Sequence, residues 1–370
     1  MRLSLVHHVS YSLTGLHDLP IFLARNGHDV SDICWSGSKK WIVDRRNSNL
    51  IHYLMPGVSF SLPGFVSQYP YIPNLSKAIR LLNPNIVHAQ SHLFLPTVEA
   101  VKAASKLGIP SVVTVHGVSV DRSILANSAQ QVYLRTLGLD IFRSADRIVC
   151  LTRHDAEKVA RIGCPNEKIR IVPNAVNTER FMPCDKDGCQ DALVVWTGRF
   201  VPEKGLPYLV KAAKLVVEKR KNVRFLLVGY GPLKTRIERL AHDYGLDRFL
   251  SIIGPVSRDK IPGILGKASI FAFPSLSEGQ PISVLEAMAC GLPVVCSAVP
   301  GLKEVVKHQI NGLVVPARNS LALSNALLTL LSCEDMRKTM GQNSRRLALS
   351  KYNWQVVVNQ LEKVYSEVAK

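Results

Sequence analysis

The chain has 370 residues, 47% of them hydrophobic, and this length favours two domains over one. No apolar run is long enough to span a bilayer, which argues against an integral membrane protein. The formal net charge of +18 is spread over both halves, so phosphorylated ligands or an anionic membrane surface are the expected partners, unless the charge serves only solubility. The sequence contains no zinc-finger or basic-zipper pattern, so a nucleic-acid partner is not expected.

The first residues and the cysteines bear on the cellular compartment. Residues 1–9 lack the long apolar stretch of a signal peptide and are better interpreted as a strand. The eight cysteines include no Cys-x-x-Cys pair, which favours buried reduced thiols over disulfides or a metal site. We therefore expect a cytoplasmic protein.

Strand-like apolar runs alternate with helix-like amphipathic runs along the chain. In the first half, strands are predicted at 2–9, 28–35, 50–55, 86–89, 111–115, 147–151 and 168–172, with helices at 98–107 and 130–143 among others. In the second half, strands are predicted at 193–197, 224–228, 250–253, 270–273, 293–296 and 312–315, with helices at 206–219, 233–244 and 320–331. Because strands that alternate with helices form parallel sheets, the sequence predicts an α/β protein with two such sheets.

Three segments interrupt or end this alternation. Residues 57–73 contain three prolines, two glycines and four aromatic residues, which predicts a long loop of the kind that is often functional. Residues 173–191 have little periodicity and are interpreted as the interdomain linker. Residues 352–370 carry apolar side chains at helical spacing and predict a terminal helix.

The most informative motif is a pair of glutamates, Glu278 and Glu286. The predicted strand 270–273 precedes the first, and a helix is expected to begin near Pro281 and to carry the second. Ligands of open parallel sheets bind at the carboxyl ends of strands, and the free N–H groups of a helix N-terminus suit an anion. Carboxylates also accept hydrogen bonds from hydroxyls, so this site could hold a nucleotide sugar. Ordinary acidic residues near a helix start are the alternative.

A second motif, Gly-Arg-Phe-Val-Pro-Glu-Lys-Gly at 198–205, follows the first strand of the second half. Arg199 offers a planar fork of donors and Lys204 a compact charge, which together suit a diphosphate. Stabilisation of that leaving group would assist transfer of the group attached to it. Two solvated surface cations are the alternative interpretation.

Other glycines and one histidine follow predicted strands. Gly229 and Gly231 could allow a ligand to approach the backbone, although the third glycine of a dinucleotide fingerprint is missing and an ordinary turn is equally consistent. His116 ends the strand 111–115, and Gly15 follows the first strand. The Asp-x-Asp sequence at 185–187 lies in the predicted linker and is interpreted as solvated rather than metal-binding.

These motifs together resemble the retaining glycosyltransferases of family 4, of the group 1 type, in which two Rossmann-like domains face each other across a cleft (the GT-B fold). The resemblance covers nearly the whole chain, and the combination is far more specific than any one motif. The matching segments are 198–205, Val172-Pro-Asn174, Glu278 with Glu286, Gly291-Leu-Pro-Val-Val and Asn311-Gly-Leu-Val-Val. Ala175, Asn177, Gln280 and the Thr14-Gly15 pair depart from the residues that are frequent in the family.

The resemblance implies an acceptor domain at 1–182, joined by a helix at 352–370 that crosses back onto it, and a donor domain at 190–350. It also implies a role for each candidate residue. The implied donor diphosphate ligands are Arg199, Lys204 and Gly15. The implied ribose and sugar ligands are Glu286, Gly279, Gln280, Pro281 and Ile282. Gly254 and Val256 would lie near the base, and His116 and Glu278 beside the transferred sugar as the catalytic pair.

The implied activity is that of a hexosyltransferase-type enzyme, which transfers a sugar from a nucleoside diphosphate sugar to an acceptor hydroxyl with retained anomeric configuration. No residue is a compelling nucleophile, which favours a front-face mechanism without a metal or another cofactor. The acceptor, whether lipid-linked, a polysaccharide or a small molecule, is left open, as are the sugar and the base. A sugar-nucleotide epimerase and a non-catalytic protein that binds anionic lipid or nucleic acid remain the alternatives. A glycogen-type phosphorylase would need a pyridoxal-phosphate lysine, which no residue identifies.

Basic pairs at 39–40 and 45–46, close in sequence to the aromatic segment 57–73, could form a peripheral docking face for an anionic membrane. A plain solvated surface is the alternative.

Overall fold

The computed structural model describes residues 1–7, 18–36, 40–61, 68–118, 124–184 and 191–369. These residues form two compact units, the first of Met1–Asn174 with Trp354–Lys370 and the second of Ala175–Asn353. Each unit contains one large sheet whose strands are mostly parallel, so the predicted class of two Rossmann-like α/β domains is confirmed.

The chain passes from the first unit to the second at residue 174, before the position 182 expected from the sequence. The reason is that Val176 and Phe181 are buried in the hydrophobic core of the second unit. In addition, the backbone N–H of Val176 donates to the carbonyl of Tyr352 within that unit.

The strands of the first unit are β1 (Arg2–His7), β2 (Asp29–Trp35), β3 (Ile42–Asn47), β4 (Leu50–Met55), β5 (Val58–Ser61), β6 (Gln68–Tyr71), β7 (Ile86–Gln90), β8 (Ser111–Val115), β9 (Arg147–Cys150) and β10 (Ile169–Ile171). Its helices are α1 (Asp18–Arg25), α2 (Leu75–Leu82), α3 (Leu95–Leu107), α4 (Ile124–Tyr133), α5 (Leu139–Ser144), α6 (Arg153–Ile162) and, at the end of the chain, α14 (Trp354–Ser366).

The main sheet of the first unit has the order β10-β9-β8-β7-β1-β2-β4-β3. Only the β3–β4 pair is antiparallel. The central strands β1, β7 and β8 are almost completely buried, because helices cover both faces of a parallel sheet. The order reverses between β1 and β7, which places the loops after the central strands at a common edge.

Two strand assignments differ from the sequence-based prediction. The segment predicted as a long loop contains β5 and β6, which pair as an antiparallel ribbon. Pro70 is tolerated there because a strand of a two-stranded ribbon has a free edge that needs no N–H donor. Strand β3 was not predicted, because its sequence Ile-Val-Asp-Arg-Arg-Asn lacks the alternation of a half-buried strand. It forms an exposed edge of the main sheet.

The last helix, α14, belongs to the first unit. Trp354 at its start stacks on Phe22 of α1, with ring centroids 5.7 Å apart. Near its end, Glu367 accepts hydrogen bonds from Arg147 at 2.7 Å and from Arg170 at 3.0 Å. An aromatic stack and paired charges therefore fasten both ends of the helix.

The strands of the second unit are β11 (Ala192–Arg199), β12 (Val223–Tyr230), β13 (Leu250–Ile253), β14 (Ile270–Phe273), β15 (Val294–Ser297) and β16 (Gly312–Val315). Its helices are α7 (Leu206–Lys219), α8 (Lys234–Asp243), α9 (Ile261–Gly266), α10 (Ile282–Ala289), α11 (Pro300–Val305), α12 (Ser320–Ser332) and α13 (Glu334–Lys351).

The sheet of the second unit is wholly parallel, with the order β13-β12-β11-β14-β15-β16. The connections run in opposite directions from the central pair, β11 and β14, so the topological switch point lies between these two strands. The loop after β11 carries the motif 198–205, and the loop after β14 carries Glu278. The fold therefore brings the two most informative motifs to one crevice.

None of the described helices combines the length and the apolar character that a bilayer crossing requires. The seven described cysteines are all free. Burial raises the pKa of the Cys150 and Cys296 thiols far above its usual range, so these two side chains act as small apolar groups.

Candidate functional site

The carboxylate of Glu278 is held by two donors at the switch point of the second unit. The ammonium group of Lys204 forms an ion pair with Glu278 Oε1. The hydroxyl of Ser275 donates to the same oxygen at 2.5 Å. The side chains of Glu278 and Lys204 are only 9% and 15% exposed, so solvent screens this ion pair weakly.

The loop after β11 is fastened to the loop after β14 by its backbone. The carbonyl of Glu203 accepts the N–H of Leu276 at 2.7 Å and lies 3.1 Å from the Ser275 hydroxyl. Gly205 adopts a left-handed φ of +64°, and a Cβ there would lie 2.1 Å from the carbonyl oxygen of Pro274. Only glycine allows the backbone at position 205 to come this close to Pro274. This close contact sets the position of the adjacent Lys204.

Arg199 is the last residue of β11 and is half-buried. No ion pair joins it to another side chain in the part of the chain that the structure describes. A guanidinium presents several N–H donors in a planar fork, which suits the diphosphate role implied by the resemblance.

Glu286 lies in the second turn of α10 and is 7% exposed. Its Oε1 accepts a hydrogen bond from Arg258 at 3.0 Å. Arg258 follows the predicted base-binding segment, in which Gly254 and Val256 are half-buried. A nearly buried carboxylate thus connects α10 to the loop that follows β13.

The backbone between the two glutamates is held by a close contact. A Cβ on Gly301, in α11, would lie 1.6 Å from the carbonyl oxygen of Gly279 and 2.6 Å from that of Glu278. Gln280 and Pro281 are buried, and α10 begins at Ile282 with Pro281 as its N-cap. The free N–H groups of this helix start lie directly after the predicted sugar-binding residues.

Close packing of the backbone accounts for Gly229 and Gly231, for which the sequence left a ligand contact and an ordinary turn open. A Cβ on Gly229 would lie 1.8 Å from the carbonyl oxygen of Gly198, and one on Gly231 would lie 2.5 Å from that of Phe200. These glycines are explained by the close approach of β12 to the end of β11. The ordinary-turn alternative is therefore the better interpretation.

His116 lies in the first unit, directly after β8. Its Nε2 is 2.8 Å from Oε1 of Gln90. Burial, with the neighbouring His7 and His92 as smaller causes, lowers the pKa of His116 to about 3, so the ring is neutral at physiological pH. Gly15, the other candidate of this unit, lies outside the described residues.

Some of the side chains that contact the predicted residues belong to none of the motifs found in the sequence. Ser275 and Arg258 hold the two glutamates, and Gln90 contacts His116. The only available signal was their position shortly after the predicted strands that end at 273, 253 and 89.

Within the described ranges, no group of three or more His, Cys, Asp and Glu side chains is placed to bind a metal ion. The Asp-x-Asp sequence at 185–187 lies outside these ranges.

Both halves of the chain match known families. The family described as Glycosyltransferase Family 4 matches residues 14–180, and the family described as Glycosyl transferases group 1 matches residues 188–347. An uncharacterised glycosyltransferase of Methanocaldococcus jannaschii is 31% identical over 72% of this chain and 70% of its own length. The UDP-Gal:alpha-D-GlcNAc-diphosphoundecaprenol alpha-1,3-galactosyltransferase of Escherichia coli is 29% identical over 72% of this chain and 71% of its own length.

The fold also matches a solved structure. Anabaena HepE, crystallised in complex with UDP, aligns with a TM-score of 0.80 at 18% identity, over 99% of this chain and all of its own. At this identity the match speaks for the GT-B architecture alone. Taken with the two family matches, it shows that the chain is a GT-B glycosyltransferase and belongs to glycosyltransferase family 4.

Proposed function

We propose that the protein is a retaining glycosyltransferase that moves a sugar from a nucleoside diphosphate sugar to an acceptor hydroxyl. The observation that carries the proposal is the cluster at the switch point of the second unit. There, Lys204 and Ser275 hold Glu278, while Arg258 holds Glu286 one loop away. Cations, oriented carboxylates and a helix N-terminus together suit a ligand that is both anionic and rich in hydroxyls.

Each residue has a proposed role in donor binding. Arg199 and Lys204 bind the diphosphate, assisted by the N–H groups at the start of α10 and by Gly15. Glu286 accepts hydrogen bonds from the ribose hydroxyls, and Gly254 and Val256 border the base. Glu278 and His116 contact the transferred sugar. The segment 279–282 lines the sugar and phosphate with backbone groups.

The chemistry needs charge stabilisation more than a nucleophile. As the glycosidic bond breaks, negative charge develops on the departing diphosphate, and Lys204 and Arg199 supply the compensating positive charge. Glu278 is a poor nucleophile because its Oε1 already accepts from Lys204 and Ser275. These contacts support a front-face reaction, in which the departing phosphate oxygen takes the proton of the acceptor hydroxyl. No metal and no other cofactor is needed in this scheme.

The relatives suggest which substrates to try first. The E. coli relative is named for UDP-galactose and a diphosphoundecaprenol-linked sugar, and HepE was crystallised with UDP. We therefore propose a UDP-sugar donor and a lipid-linked saccharide acceptor. A polysaccharide or a small-molecule acceptor would be the alternative outcomes of the test.

The test is turnover of UDP-, GDP- and ADP-sugars by the purified protein, with and without lipid-linked, polysaccharide and monosaccharide acceptors. Proton NMR of the product would report the anomeric configuration. We expect acceptor-dependent release of the nucleoside diphosphate, retention of configuration and no loss of rate in EDTA. Epimerisation of the donor without an acceptor would instead identify the epimerase, and an inverted product would overturn the retaining assignment.

A peripheral membrane face is a separate part of the proposal. Edge strand β3 begins beside Trp41, and the side chains of Trp41, Ile42 and Val43 are 47%, 46% and 54% exposed. Arg45 and Arg46 follow in the same strand. Exposed apolar side chains next to cations are what docking onto an anionic bilayer uses. We propose that this edge, called the β3 edge, contacts the membrane that holds the acceptor.

The β3 edge makes a testable prediction. Replacement of Trp41, Ile42 and Val43 by serine should abolish sedimentation with phosphatidylglycerol vesicles at low salt. Arg45→Glu should weaken it, since each cation near an anionic surface contributes about 1 kcal/mol. The matched control is Leu81→Ser, which removes an apolar side chain that is 75% exposed in α2. Equal sedimentation of all variants, or none by the wild type, would exclude the docking face.

A further inference from the structure

A series of hydrogen bonds connects His116 to the last helix of the chain. Its Nε2 lies 2.8 Å from Gln90 Oε1, and Gln90 Nε2 lies 3.2 Å from His88 Nε2. His88 Nδ1 is in turn 2.7 Å from the hydroxyl of Tyr365 in α14. Tyr365, His88, Gln90 and His116 are called here the His116 relay, and all four residues belong to the first unit.

The middle of the relay settles which ring nitrogen of His88 carries its proton. His88 is completely buried, and burial, with the neighbouring His7 and His116 as smaller causes, lowers its pKa to about 3. Its Nε2 lies 2.7 Å from the hydroxyl oxygen of Thr114 and 3.2 Å from the amide nitrogen of Gln90, which can only donate, so Nε2 is an acceptor. The single proton of this neutral ring is therefore on Nδ1, which donates to Tyr365.

The same logic assigns the proton of His116. Because the amide nitrogen of Gln90 faces His88, its oxygen faces His116, and a carbonyl oxygen can only accept a hydrogen bond. His116 must then carry its proton on Nε2, and since the ring is neutral, Nδ1 is left as an acceptor.

Asp32, His7 and His52 form a second polar cluster in the first unit. Asp32 accepts hydrogen bonds from His52 at 2.7 Å and lies 3.1 Å from His7 Nε2. Burial alone would raise the pKa of Asp32, but its interactions with the neighbouring His7 and His52 hold that pKa well below its usual range. The carboxylate therefore stays ionised, while proximity to His7 is one of the smaller causes that lower the pKa of His88 and of His116.

We propose that Tyr365, His88 and Gln90 are positioning residues that hold His116 as its Nε2–H tautomer, so that Nδ1 accepts a hydrogen bond from a hydroxyl of the transferred sugar. The inference rests on the proposed function, because it assumes that His116 contacts that sugar. Through Tyr365, helix α14 would help to orient His116 in addition to its role in the fold of the first unit.

The first test reads the tautomer without any substrate. Long-range ¹H–¹⁵N spectra of the histidine rings, assigned with His116→Asn, should show His116 neutral and protonated on Nε2 in the wild type. Gln90→Met should remove this preference. Gln90→Glu should keep the proton on Nε2 and raise the pKa of His116, since it adds a carboxylate beside the ring. A wild-type ring protonated on Nδ1, or an unchanged spectrum in Gln90→Met, would overturn the proposal.

The second test separates positioning from simple stability. Gln90→Met should lower kcat by roughly ten- to one-hundred-fold with a smaller change in the donor KM, the usual scale for groups that orient another ligand. Tyr365→Phe should lower kcat less than Gln90→Met does. Gln90→Glu should likewise retain much more of the wild-type kcat than Gln90→Met. Tyr352→Phe, which alters a tyrosine only 2% exposed in the second unit, is the matched control and should leave kcat unchanged.

The two tests can fail separately. Absence of transfer by the wild type would refute the proposed function, while the spectra would still decide the tautomer. Equal kcat for Gln90→Met and the wild type would refute the positioning role.

Discussion

Replacement of Lys204 by alanine is expected to lower kcat for sugar transfer by about 10²–10³-fold, the usual effect of removing one donor that stabilises developing negative charge. Two consequences combine in this variant. The departing diphosphate loses a cation, and Glu278, whose side chain is only 9% exposed, loses its ion-pair partner. The measurement is the rate of nucleoside diphosphate release with the donor that supports turnover.

Two controls sharpen the Lys204 prediction. Lys204→Arg keeps the charge but not the compact geometry, so it should recover only part of the rate. Lys214→Ala removes a surface lysine of α7 whose side chain is 43% exposed, and it should have no effect. If Lys204→Ala turned over like the wild type, Lys204 would be a structural partner of Glu278 and the diphosphate role would be wrong.

Gly301→Ala is expected to have the largest effect of any single methyl addition near the site. The new Cβ would lie 1.6 Å from the carbonyl oxygen of Gly279, a backbone atom that cannot move without shifting Glu278. Overpacking of this kind costs roughly 1–3 kcal/mol, and displacement of the loop should remove most of the activity. Chemical denaturation and donor turnover would be measured on the same preparation.

Gly263→Ala is the matched control. Gly263 lies in α9, and a Cβ there would meet no atom within 4 Å. Because alanine favours helix over glycine, this variant should be as stable as the wild type or up to about 1 kcal/mol more stable. A Gly301→Ala variant that kept both wild-type stability and activity would show that the α11 contact does not position the loop.

Much of the second unit could be predicted from the sequence, because its strands are buried on both faces and its loops carry recognisable motifs. The strand predicted at 270–273 coincides with β14, and the helix predicted to begin near Pro281 begins at Ile282. The positions of Arg199 at the end of β11 and of Lys204 in the loop after it followed in the same way. Parallel topology then placed both motifs at one switch point.

The remaining features depend on contacts that a single sequence does not reveal. Strand β3 is exposed and mixed in composition, so its pattern carried no strand signal. The sequence left a ligand contact and an ordinary turn open for Gly229, because the atom that excludes a side chain there is the carbonyl oxygen of Gly198, which is distant in the sequence. The bond between His88 and Tyr365 joins residues 277 positions apart, a separation that no local pattern encodes.

Isothermal titration calorimetry with UDP, GDP and ADP would show whether the second unit binds a nucleoside diphosphate, on which the proposed roles of Arg199, Lys204 and Glu286 depend. We expect the wild type to bind one of these diphosphates, and to bind the corresponding monophosphate more weakly. We also expect marked weakening in Arg199→Ala and Glu286→Ala, and unchanged affinity in Glu238→Ala, which alters a surface carboxylate of α8 that is 44% exposed. Affinity for a diphosphate that is identical in the wild type and in both site variants, or no binding by any of them, would contradict these roles.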